Sequence, residues 1–131
     1  MNKTIQVSSR GRDDWVDISR EVQAAVSESG LDEGVVTVYV PHTTCGIAIQ
    51  ENADPPLKVD ITRALDALCP WEGNYGHGED NAAAHMKAVL TGPSVQIPFE
   101  KGRLMLGTWQ GINLCEFDGP RNRRVIIHVS P

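Results

Sequence analysis

Short runs of alternating apolar and polar residues, broken every few positions by glycine or proline, constrain this chain more than any other feature. Such a run buries one face of a β-strand. Breaks that frequent also leave no room for long helices at either end. Lys3–Ser9 alternates Ile5 and Val7 with polar residues, and Trp15–Ile18 reads as a second short strand. Gly34–Pro41 places Val36, Val38 and Val40 on one face; after His42-Thr43-Thr44 a further strand does the same with Cys45, Ile47 and Ile49. Nearer the C-terminus, Val95, Ile97 and Phe99 alternate before Glu100-Lys101-Gly102 turns. Leu104 and Leu106 lead a strand, Gln110-Gly111 turns into the strand of Ile112 and Leu114, and Asp118-Gly119-Pro120 turns into Val125–Val129.

Helical spacing is confined to the segments between. Ser19 offers an N-cap to a helix carrying Val22, Ala25 and Val26 and ending near Gly30. Pro55-Pro56 opens a second helix, with Leu57, Ile61, Ala64, Leu65 and Leu68 at spacings of three and four. Asn81–Leu90 forms a third, closed by Gly92. Strands at both ends with about three helices grouped between them predict an α+β fold, a largely antiparallel or mixed β-sheet sandwich. At 131 residues it is one domain spanning positions 1–131.

Seventeen acidic against twelve basic residues give a formal charge of −5, which excludes a general nucleic-acid binder. Three cysteines, Cys45, Cys69 and Cys115, form no CxxC pair and read as free thiols of a reducing compartment. The first residues lack the apolar core of a signal peptide, and Val35–Val40 is far too short to cross a bilayer. The expectation is a cytoplasmic protein with no membrane and no nucleic-acid partner.

Polar residues at apolar positions mark a candidate site. His42 continues the parity of Val36, Val38 and Val40; Glu51 that of Ile47 and Ile49; Gln110 that of Leu104 and Leu106; Glu116 that of Ile112 and Leu114. A carboxylate facing a core is costly unless it is paired or binds something. The bland alternative is that each strand end simply reaches water. His77 sits between glycines, and His85 shares a helix face with Asn81. With His42 these histidines could supply three imidazoles to a metal; they could equally be a turn, a loop and a helix-surface histidine that never meet. Arg121, Arg123 and Arg124 form a basic corner fit for a phosphate, or the charged face of an edge strand. Neither GxxxxGK[ST] nor GxGxxG is present, so a nucleotide loop is unsupported.

Taken in order, His42-Thr43-Thr44, Glu51-Asn52-Ala53-Asp54-Pro55, His77-Gly78-Glu79-Asp80-Asn81, Ala84-His85-Met86-Lys87, Gly107-Thr108-Trp109-Gln110-Gly111 and Cys115 through Arg121 resemble the YjbQ family, the secondary thiamine-phosphate synthases. The resemblance implies a homotrimer and a divalent metal, zinc by preference or magnesium with a pyrophosphate substrate, at the histidine cluster, with His42, His77 and His85 as the candidate ligands. It implies catalytic roles for Glu51, Asn81, Gln110 and Glu116, and substrate or phosphate binding by Thr43, Trp109 and Arg121. The implied activity joins hydroxymethylpyrimidine pyrophosphate to thiazole phosphate with release of pyrophosphate, as a main or a side reaction on a small phosphorylated molecule. A trimeric binding protein without turnover and a metal-dependent hydrolase are the competing readings. Pro56 departs mildly from the family pattern, which should shift only a helix start.

Overall fold

The computed structural model describes all 131 residues. Eight strands and three helices follow in the order β1 (Asn2–Ser8), β2 (Asp14–Asp17), α1 (Ser19–Ser29), β3 (Gly34–Tyr39), β4 (Cys45–Glu51), α2 (Pro55–Leu68), α3 (Ala82–Thr91), β5 (Ser94–Glu100), β6 (Arg103–Leu104), β7 (Gln110–Glu116) and β8 (Asn122–Ser130). They build two antiparallel sheets, one ordered β1-β8-β3-β5-β6 and the other β2-β7-β4. This is the α+β architecture the alternation predicts, with every strand pair antiparallel.

The main core forms where the inward faces of both sheets meet α1. Val36, Val38, Val125, Ile127 and Val129 come from the larger sheet, Cys45, Ile47, Ile112 and Leu114 from the smaller, and Val22, Ala25 and Val26 from the helix. Removing these branched side chains from water supplies the main stabilisation, about 1.5–3 kcal/mol for each large one. The outer face of the smaller sheet carries a second cluster, Cys115 and Phe117 against Ala84 and Ala88 of α3, bordered by Trp15, Leu65 and Trp71. Both prolines fall in the first turn of α2, where their missing N–H groups cost nothing. That helix nevertheless buries no residue fully.

Three local expectations need correction. Ser19 is the first residue of α1 rather than its N-cap; its hydroxyl accepts the Ile112 N–H, tying the helix start to β7. The Leu104 strand ends after two residues, and the chain reverses before Gln110, not at it. Gln110 closes that reversal by accepting the Gly107 N–H on its side chain, and it then starts β7 opposite Glu51. Finally, the arginine corner is no edge: β8 begins at Asn122 and lies between β1 and β3. Arg123 therefore alternates inward with Val125, while Arg124 faces outward.

Candidate functional site

At one end of the sandwich, three connections converge. The β3–β4 loop brings His42 and Thr43, the β7–β8 loop brings Asp118 and Arg121, and the start of α3 brings Asn81 and His85. Between them lies a cleft of about 330 Å3 that also exposes part of Thr44, Glu79 and Arg123. Pro41 apart, its lining is polar throughout.

The floor of this cleft is a buried ion pair. Arg123 donates from Nε to Glu116 Oε1 at 2.8 Å and from Nη2 to Glu116 Oε2, a fork-to-fork pairing that fixes both groups. Its Nη2 also donates to Thr44 Oγ1 at 2.8 Å. Glu116 is 1% exposed and Arg123 4%. Burial alone would raise the Glu116 pKa, but hydrogen bonds from Arg123, the Asp118 N–H and the Ser9 hydroxyl outweigh it and hold the carboxyl below its ordinary range. For Arg123 burial works in the other direction, and the Glu116 partnership reverses it, leaving the guanidinium more firmly protonated than usual. Gly119 lets the β7–β8 loop close over this pair. A side chain there would collide with the Gly11 carbonyl oxygen and come within 2.8 Å of Glu116 Cγ.

Above the floor, His42 accepts the Arg124 backbone N–H on Nε2 at 2.9 Å. Its pKa is lowered by desolvation, with Arg123 and Arg124 pushing the same way. A neutral ring that accepts on Nε2 carries its proton on Nδ1. In this arrangement His42 offers a donor, not a free lone pair. Arg121 donates from Nε to the Asp118 carbonyl at 2.7 Å and from Nη2 to its carboxylate at 3.0 Å, yet remains about half exposed. Asn81 donates from Nδ2 to the same carboxylate at 2.9 Å, while its Oδ1 is buried with no partner. A buried acceptor without a protein partner is uncommon, and an ordered water, an ion or a ligand atom can complete it.

His77 and His85 pack edge to face, with ring centroids 4.9 Å apart. These two imidazoles and the unpartnered Asn81 oxygen are donors of the kind a divalent ion takes. No three His, Cys, Asp or Glu side chains converge on one point, however, so a single chain does not assemble the three-histidine set.

The remaining predicted residues lie elsewhere. Glu51 pairs with Gln110 at the opposite end of the smaller sheet from the Cys45–Glu116 pair, six residues and about 20 Å along the strands. Trp109 stands beside them, 64% exposed. In one chain these three do not reach the cleft that holds His42, Thr43, Asn81, His85, Glu116 and Arg121. From the middle of the smaller sheet toward the Glu51 end runs a polar chain that sequence reasoning missed: Lys58 Nζ donates to Asn113, Asn113 to Asn52, and Asn52 to Asp17. Arg123 was legible only as part of the arginine cluster; its strand parity with Val125 is the signal that separates it from its neighbours.

Comparison with known proteins is decisive at the level of family. The model of the family described as UPF0047 protein YjbQ-like matches residues 3–131. The chain belongs to the UPF0047 YjbQ-like family. It is 51% identical over 130 residues to the UPF0047 protein YugU of Bacillus subtilis (strain 168), covering 98% of each chain. To the UPF0047 protein YjbQ of Escherichia coli O157:H7 it is 31% identical over 117 residues, covering 87% of this chain and 85% of that one. Among solved structures, a YjbQ/UPF0047-family protein from Clostridium acetobutylicum superposes with a TM-score of 0.96 at 47% identity, over 98% of this chain and 99% of that one. A conserved hypothetical protein from Thermus thermophilus gives a TM-score of 0.90 at 42% identity, over 98% and 99%. UPF0047 members thus share this fold along its whole length. No helix of the chain is long and apolar enough to cross a membrane.

Proposed function

We propose that this UPF0047 protein is a cytoplasmic, metal-assisted pocket enzyme acting on a small phosphorylated molecule, with thiamine-phosphate synthase activity among its reactions. The observation that carries the reading is the polar cleft: Arg121, Arg123 and His42 line it, and Asn81, which shares the Asp118 carboxylate with Arg121, keeps a buried acceptor without a partner. A phosphate or pyrophosphate entering it would exchange the Asp118 contacts of Arg121 for its own oxygens and accept from His42 Nδ1–H. Arg123 would add fixed positive charge from below. Glu116 holds that guanidinium in place, so in this reading it is a positioning residue. Preorganised charge of this kind favours pyrophosphate departure, because the negative charge develops where donors already stand. A divalent ion, zinc or magnesium, held by His77 and His85 with the Asn81 oxygen, would supply further positive charge against the departing group.

A homotrimer belongs to the same proposal. The separation of Glu51, Trp109 and Gln110 from the cleft within one chain supports it, as do Leu68 and Val89, which stand 71% and 82% exposed. Association would give these apolar side chains a partner surface. It would also allow one protomer's far end to approach its neighbour's cleft. Three free, buried thiols support a reducing, cytoplasmic setting.

The test is incubation of metal-loaded protein with hydroxymethylpyrimidine pyrophosphate and thiazole phosphate, following thiamine phosphate. Product above a His85→Ala control is expected; its absence refutes the synthase reading and leaves the binding protein or the hydrolase. Elemental analysis of wild type and of His77→Ala and His85→Ala should show a divalent ion lost from both variants. A wild-type protein that retains none after loading refutes the metal.

A further inference from the structure

Helix α3 carries one lysine, Lys87, and buries it completely, although the cleft makes no use of it. The other buried residues of the helix are Ala83, Ala84 and Ala88. Three alanines exclude water but present no side chain long enough to interlock with the sheet, so packing alone fixes the position of α3 along its axis only weakly. Lys87 supplies what they lack. Its Nζ donates to Asp13 Oδ1 at 3.0 Å and to Asp66 Oδ1, and it stands 5.9 Å from the centre of the Phe117 ring. A buried ammonium cannot leave such partners without the full cost of its desolvation, which makes the contact a fixed point.

The two acids lead to different places. Asp66 belongs to α2, which contributes no residue to the cleft. Asp13 ends the β1–β2 loop, and that loop is bonded along its length to the β7–β8 loop. The Gly119 N–H donates to the Arg12 carbonyl at 3.2 Å, and the Arg121 N–H donates to Ser9 Oγ at 2.9 Å. Ser9 Oγ in turn donates to Glu116. The β1–β2 loop thus joins the helix that brings Asn81 and His85 to the loop that brings Asp118 and Arg121. Asn81 has no capping bond to its own helix; its side chain reaches across to Asp118 instead, so its aim depends on how the two segments are set.

We propose that the β1–β2 loop is a bracket for the cleft, and that Lys87 and Asp13 are positioning residues. Their ion pair sets where α3 presents Asn81 and His85 relative to Asp118 and Arg121. The proposal rests on the anion reading of that cleft.

Titration calorimetry with inorganic phosphate and proton–nitrogen NMR test the bracket on full-length wild type, Asp13→Ala, Lys87→Met and Asp66→Ala. Asp13→Ala and Asp66→Ala each leave Lys87 one carboxylate, so a merely structural role for the lysine predicts the same result for both. The bracket predicts a split. Asp13→Ala and Lys87→Met should weaken phosphate about tenfold, the weight of one misplaced charged hydrogen bond. They should also shift the Asn81 side-chain amide signal and speed exchange of the Gly119 N–H about tenfold. Asp66→Ala should bind within about twofold of wild type and leave both signals in place. In Lys87→Met the acids stay joined through Arg12, so this variant decides the matter if Asp13→Ala does not fold. Phosphate affinity and NMR signals unchanged in Asp13→Ala and Lys87→Met, or changed equally in Asp66→Ala, overturn the proposal. If wild type binds no phosphate, the anion reading of the cleft falls, and the two NMR signals alone decide the bracket.

Discussion

The Glu116–Arg123 pair offers the sharpest test of the distinction between what holds this fold and what the cleft does. Glu116→Gln keeps the shape of the side chain but removes its charge, leaving Arg123 buried without a counter-ion. In the native protein that guanidinium makes two bonds to Glu116 and further bonds to Thr44, and it reaches the cleft with only a small part of its surface. Breaking one partner of such a pair costs about 3–5 kcal/mol. That is a large part of the ~5–15 kcal/mol by which a domain is stable. Arg123→Met, which strands the carboxylate instead, should cost a similar amount. The double variant Glu116→Leu/Arg123→Met is expected to recover most of the loss, because desolvating two charges offsets much of what their pairing gains. Urea unfolding followed by circular dichroism would measure all four proteins, and calorimetry would measure inorganic phosphate binding to the double variant. A stable double variant that no longer binds phosphate is the expected outcome. Single variants within ~1 kcal/mol of wild type, the range of exposed pairs, would refute the description of the pair as buried and mutually dependent. Wild-type phosphate affinity in the double variant would refute the charge assigned to the cleft floor.

Acid should destabilise the protein in two windows. The His42 pKa is depressed on folding, so stability present above the ordinary histidine range is lost as pH falls through it; the depressed Glu116 carboxyl repeats this below the ordinary carboxylate range. Unfolding midpoints measured from pH 8 to pH 3 should fall through both windows, and a profile flat between pH 7 and pH 5 would contradict the His42 assignment. Gly119→Ala drives a methyl into the Gly11 carbonyl oxygen, a backbone atom that cannot swing aside, and should cost about 1–3 kcal/mol in urea unfolding; a neutral result would show that the loop has room. Lys87 is fully buried between Asp13 and Asp66, with Arg12 bridging the same two acids. Because Asp66 is partly exposed and Arg12 remains, Lys87→Met should cost only about 1–3 kcal/mol, less than loss of Arg123; a larger loss would mean that Arg12 does not share the load.

Local order was readable where one period dominates. The runs around Val36, Ile47, Ile97 and Val125 became strands because alternation has one satisfactory solution, and the stripes of α1 and α2 became helices for the same reason. Boundaries moved where a side chain rather than periodicity decided them: the Ser19 hydroxyl serves β7, and the Gln110 amide closes a reversal. Of the candidate site, His42 and Glu116 were readable as polar groups at strand ends, Asn81 and His85 as neighbours on one helix face, and Arg121 as part of an arginine cluster, while Thr43 came only with the family resemblance; the structure brings them together around one cleft.

The sequence by itself determined the α+β class with largely antiparallel strands, the three helices and the family, since those depend on period, punctuation and motif order along the chain. Tertiary structure alone decided which charges share a space. It placed β8 between β1 and β3, and so turned Arg123 from one of three surface arginines into the buried partner of Glu116. It also set Glu51 and Gln110 at the far end of the smaller sheet from the cleft. Strand parity reports which face a residue occupies but not which end of the sheet it reaches, because that depends on register between segments distant in sequence.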